Sequence, residues 1–120
     1  MKRIIYEITE HQFDSAIFQF IDIITSDFDQ IFDDDYNRFV LAVPNEPYAI
    51  LVYDGENMLY INTNLAYQVM QFFSISRLDA GKSICRWFSK KYNVPVKDFL
   101  YVSGNTSSLL RKYPIFTKRR

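Results

Sequence analysis

A chain of 120 residues with 48% hydrophobic and 23% charged residues is one ordered domain with enough apolar material for a core. That composition excludes a disordered chain, and no apolar run approaches the ~20 residues of a membrane-crossing helix, so no membrane partner is expected. The zero net charge hides a polarity: residues 1–60 hold 12 acids against 3 bases, whereas residues 61–120 hold 11 bases against 2 acids. A charged partner is expected from this asymmetry, unless folding interleaves the halves and cancels it. Cys85 is the single cysteine and cannot close an internal disulfide. Residues 1–7 lack the apolar stretch of a secretory signal. Together these predict a cytoplasmic protein. The 11 Phe and 9 Tyr against 3 Gly and 4 Pro favour AT-rich codons, which suggests a bacterial, phage or mobile-element source of that base composition.

In chain order, residues 2–8 read as a short first strand. Thr9 with Gln12 three positions on forms a capping box. Phe13, Ala16, Ile17, Phe20, Ile21, Ile24 and Phe28 then follow the i, i+3, i+4 pattern, so an amphipathic helix is predicted over 10–28. Phe18 and Ile23 fall off this stripe and point to another element or a partner. Asp27, Asp29, Asp33, Asp34 and Asp35 gather where the helix macrodipole is already negative, and this calls for an offsetting positive charge. Lys118, Arg119 and Arg120 of the chain itself, a basic partner surface or a metal ion would each serve. A calcium loop starting at Asp27 fails, because Phe32 stands where Gly is needed and Arg38 where Glu is needed. No metal site is predicted.

Residues 38–62 form the hub. Three β-branched or aromatic runs are separated by Pro44, Asn45, Glu46 and Pro47 and by Asp54, Gly55, Glu56 and Asn57, the pattern of a three-stranded antiparallel meander. Its middle run is apolar on both faces, with Tyr48, Ile50 and Val52 on one and Ala49, Leu51 and Tyr53 on the other. Such a strand is covered on both faces, or covered on one and offered to a partner on the other. Asn64 is the expected cap of a second helix whose buried side is Leu65, Ala66, Val69, Met70 and Phe73. A break at 73–77 leads to a third helix ending near Tyr92, before Asn93 and Pro95. Residues 96–102 add an edge strand, and 103–106 begin a last short helix stopped before Pro114. The predicted fold is α+β: an antiparallel sheet of three to four strands, packed with an N-terminal amphipathic helix and two to three C-terminal helices, all in one domain.

Catalytic chemistry finds little footing. His11 is the only histidine, and Cys85 lies among core-facing positions of a different helix, so no nucleophile–base pair is predicted. Ala80, Gly81, Lys82 and Ser83 end like a phosphate-binding loop, but the first Gly of that motif is Ser76 here. No catalytic residue, cofactor or zinc cluster is expected. More informative are Lys82, Arg86 and Lys90 at i, i+4 and i+8, with Lys91 beside them. Stacked like charges of this kind destabilise a helix by a few tenths of a kcal/mol per pair, so the face serves an anion or is covered by the N-terminal acids. Arg111 and Lys112 extend it toward nucleic-acid phosphate. Residues 68–77 resemble the first helix and turn of a helix-turn-helix. Ser74 replaces the usual Gly, however, and Leu78, Asp79, Ala80 and Gly81 are poor readers of base edges. Tyr36, Tyr48, Tyr53, Tyr60, Tyr67, Trp87 and Tyr101 suit an interface or base stacking and are equally common at the edge of a core, so they separate no reading.

These features predict a non-enzymatic macromolecule-binding protein. Its expected character is a phage- or mobile-element-type inhibitor occluding a host protein or complex that handles nucleic acid. The acidic contact patch is Asp27, Asp29, Asp33, Asp34 and Asp35, and the anion-contact face is Lys82, Arg86, Lys90, Lys91, Arg111 and Lys112. The alternative is direct nucleic-acid binding by the basic half, and opposite charged faces also permit a homo-oligomer.

Overall fold

The computed structural model describes residues 10–33, 38–103 and 110, without the side chains of residues 10–12 and 33. The strand expected over 2–8, the capping box at Thr9 and the helix expected after Ser103 lie outside them. So do Asp34, Asp35, Tyr36, Arg111, Lys112 and the terminal bases. Within them the fold is α+β, with five strands where three to four were expected.

Helix α1 covers Glu10–Ile24 and stops four residues short of its predicted end. Thr25 N–H still makes the helical bond to the Ile21 carbonyl, at 3.0 Å, joined by its hydroxyl at 2.7 Å. The next bonds, Ser26 N–H to Ile23 and Phe28 N–H to Thr25, span only three residues, and Thr25–Asp27 form a turn. Carboxylates at a helix C-terminus meet a negative macrodipole, so stopping before Asp27 and Asp29 is the favourable solution. The chain then continues as strand β1 (Asp29–Asp33), antiparallel to β2 (Arg38–Ala42). The predicted cluster of acids at a helix end is therefore corrected. Asp29 and Asp33 are the two ends of an edge strand, and Asp33 is opposite Arg38 in the register.

The meander forms as read, from β2, β3 (Ala49–Tyr53) and β4 (Met58–Asn62), with a β-bulge between β2 and β3 beside Leu41 and Ala42. In the second turn the Asp54 carboxylate accepts from the N–H groups of Glu56 and Met58, and Gly55 takes a φ of 82° that strains any other L residue. Helix α2 (Thr63–Phe73) starts one residue before the predicted cap. Asn62 is the cap, its Oδ1 accepting from Asn64 N–H at 2.9 Å while its Nδ2 donates to the Ala49 carbonyl. Ser74 and Asn93 close α2 and α3 (Arg77–Tyr92) in the left-handed conformation. These two helices form the crossover that lets β5 (Asp98–Val102) return parallel to β4, giving the order β1-β2-β3-β4-β5.

All three helices pack on one face of the sheet. There Ile17, Ile21, Leu51, Leu59, Ile61, Leu65, Ile84, Trp87 and Phe88 are buried together. The opposite face holds a second buried cluster of Val40, Ala42, Ala49, Val52, Val102 and Leu110. Every residue of β3 is buried, so the meander does not offer an aromatic sheet face to a partner.

Candidate macromolecule-binding surface

The basic ladder lies on α3, which is N-capped by the Ser76 hydroxyl accepting from Asp79 N–H. Alongside it runs α1, which places Asp14, Phe18 and Asp22 at four-residue intervals on the flank it turns to α3. Arg86 donates from Nε and Nη2 to the two oxygens of Asp14 at 2.6 and 2.9 Å, a fork-to-fork pair, and its Nη2 also reaches Ser83 Oγ. Two turns on, Asp22 Oδ1 accepts from the Trp87 indole at 2.9 Å and from Lys91 Nζ at 3.2 Å. The Lys91 ammonium also lies 6.0 Å from the Trp87 ring centroid.

The helical acids thus neutralise two of the four α3 members of the predicted cationic face, Arg86 and Lys91. Lys82 and Lys90 are exposed and make no ion pair with a described residue. Arg86 and Lys90 share a shallow cleft with Asp14, Ser15 and Phe18, whereas Lys82 lies outside it, so the ladder is divided. Of the acidic patch, Asp27 and Asp29 are exposed at the start of β1.

The aromatics divide between core and surface. Trp87 and Tyr53 are core residues, and the Tyr53 hydroxyl donates to the Pro95 carbonyl at 2.6 Å. Phe18, off the apolar stripe, lines the α1–α3 cleft. Ile23, also off the stripe, is 71% exposed, and Phe72 is 67% exposed. Phe72 stacks on Phe20 at 4.5 Å, and Phe20 is one helical turn from Ile23. A solvent-facing apolar patch therefore spans α1 and α2. The sequence signal for it was Ile23 off the stripe and the doubled Phe72-Phe73, of which only Phe73 turns to the core.

Cys85 is half-buried, and its thiol is pushed up to about 12, chiefly by burial and then by the nearby Asp98 carboxylate. A thiol held in that state is not a nucleophile near neutral pH. Burial also raises the Tyr92 phenol, with Asp22 adding to it. Burial pushes Tyr101 to about 12 against the opposing effect of Arg77, whose guanidinium lies 5.0 Å from the Tyr101 ring centroid. No group of three or more potential metal ligands occurs among the described residues. Among the same residues, no helix is long and apolar enough to cross a membrane. Comparison with protein families, curated proteins and solved structures finds no match to this chain.

Proposed function

We propose that this chain is a non-enzymatic macromolecule-binding protein that acts by covering a surface of a partner protein. In this reading it is an inhibitor of phage or mobile-element type, directed at a host protein that handles nucleic acid. The observation that carries it is the exposed Phe72 ring stacked on half-buried Phe20, with exposed Ile23 one helical turn from Phe20. Contiguous apolar surface on a small domain favours protein contact. The basic face supports it less than its sequence promised, because Asp14 and Asp22 occupy Arg86 and Lys91. Exposed Asp27, which follows α1 closely, gives the patch an acidic margin suited to a basic partner rim.

The test is capture of a partner from a bacterial lysate, with and without nuclease, by the full chain and its variants. Phe72→Ser with Ile23→Ser is expected to release a partner that survives nuclease treatment. Retention unchanged by that pair overturns the reading. Direct nucleic-acid binding is the second reading, favoured by Lys82 and Lys90, which are exposed and make no ion pair among the described residues. It predicts nuclease-sensitive capture. It also predicts a salt slope that falls by about 2 when both lysines become Glu, one for each lost phosphate contact.

A further inference from the structure

We infer that the outer edge of β5 accepts an extended segment of a partner chain as an added strand, seated beneath the flank of α3 that carries Leu78. This surface is separate from the α1–α2 patch, and the inference does not depend on that patch.

β5 pairs with β4 on one side and has no strand on the other among the described residues. Its inward and outward groups can be told apart. Asp98 N–H turns inward to the Asn57 carbonyl, whereas Phe99 N–H is taken at 2.8 Å by the carboxylate of its own neighbour Asp98. Alternation then directs the N–H and C=O of both Phe99 and Tyr101 outward. An incoming antiparallel strand meets two donors and two acceptors there, displacing only the Asp98 carboxylate. Leu100, on the face away from the helices, is 48% exposed and lies between them. The strand itself carries neither Pro nor Lys, two common guards of an open edge.

Over this edge stands α3. Gly81 lies against the Phe99 and Tyr101 rings, and Arg77 lies over Tyr101. At about 100° per residue, Leu78 falls beyond Gly81 on the side away from the α1 seam, and it is 56% exposed. A strand lying beside β5 would therefore find Leu78 on its helix side and Leu100 on its other side. Charge favours an acidic segment, since Arg77 lies over Tyr101, exposed Lys82 follows Leu78 by one helical turn and exposed Lys97 precedes β5, three bases against Asp79 and Asp98. A second copy of the chain fits poorly. Pairing β5 with itself sets strands about 4.8 Å apart, and so brings two overhanging α3 helices nearer than the 8–10 Å that packed helices need. The occupant is a strand without its own helix: an extended peptide alternating apolar and acidic residues.

The probe is an acetylated, amidated octapeptide of alternating valine and glutamate, titrated into the ¹⁵N-labelled full chain. Saturable shifts centred on the Phe99, Leu100 and Tyr101 amides, with slowed exchange at Phe99 and Tyr101, are expected. A valine–lysine octapeptide should bind roughly fivefold more weakly, the scale of a surface ion pair, and Lys82→Glu with Lys97→Glu should erase that preference. Asp98→Ala, which frees Phe99 N–H, should tighten binding. Lys82, Lys97 and Asp98 are exposed polar positions, so these variants keep the fold. The inference is overturned by absence of saturable shifts, by shifts centred on Phe20 and Phe72, or by a peptide-independent dimer that protects the same amides.

Discussion

Gly81 is where a single atom decides how α3 meets the sheet. A Cβ there would lie 2.3 Å from two carbons of the Phe99 ring and 2.7 Å from the Tyr101 hydroxyl. Intrinsic helix propensity favours Ala over Gly by about 1 kcal/mol. Overpacking a tight contact costs about 1–3 kcal/mol, and here both a ring and a hydroxyl must move. Packing should win. Gly81→Ala is expected to lower stability by up to about 2 kcal/mol in urea unfolding, and a net gain would show that the Phe99 ring swings aside freely. Cys85 gives a second residue-scale prediction. Its thiol is raised from 9.0 to about 12 in the fold, so unfolding between these values releases a proton from the thiol. The stability tied to the neutral thiol is complete below pH 9 and is lost as pH rises toward 12. Cys85→Ala should flatten the alkaline limb of the stability curve. At pH 8 the folded thiol should label with iodoacetamide far more slowly than the thiol in urea.

At the scale of elements, the seam between α1 and α3 organises the helix layer. The fork between Arg86 and Asp14 is partly screened by solvent, so a double-mutant cycle with Asp14→Asn and Arg86→Met should give a coupling of about 1 kcal/mol. Asp22 has a different role, because the indole it accepts from belongs to a Trp87 that is almost wholly buried. Asp22→Ala leaves that N–H without its acceptor and should cost about 1–3 kcal/mol, more than the loss of Lys91. Equal costs for Asp22→Ala and Lys91→Met would count against this. The helices themselves were legible because apolar spacing reports a buried face whatever that face touches. The end of α1 was not. Phe28 continues the helical spacing, but it leads into β1, and the stop comes where Ser26 and Phe28 turn their N–H groups to carbonyls three residues back. No strand was expected over Asp29–Asp33 because strand propensity is low for Asp, and pairing with β2 overrides that local preference. Cover of the basic ladder by N-terminal acids was one of two readings, but that Asp14 and Asp22 would be those acids was not legible. Spacing along α1 gives their common face, but only the packing of α1 on α3 gives their partners.

For the whole molecule, the charge halves of the sequence meet in the helix layer, and the apolar residues of the meander meet in two clusters. The two-sided pattern of Ala49, Ile50, Leu51, Val52 and Tyr53 left open whether one face awaited a partner. Burial of all five closes that question in favour of a sheet covered on both sides. The consequence is measurable. Val40 and Val52 lie on the face away from the helices, yet are as buried as Leu51 and Leu59 on the helix side. Val40→Ala and Val52→Ala remove two methyl groups each from close-packed surroundings, and each should lower stability by about 2 kcal/mol once transfer and cavity terms are combined. Truncating a valine on an open sheet face costs a small fraction of that, because solvent fills the space. Losses below about 0.5 kcal/mol at both positions, measured by urea unfolding of the full chain, would return that face to the surface. It would then compete with the α1–α2 patch as the place where a partner docks.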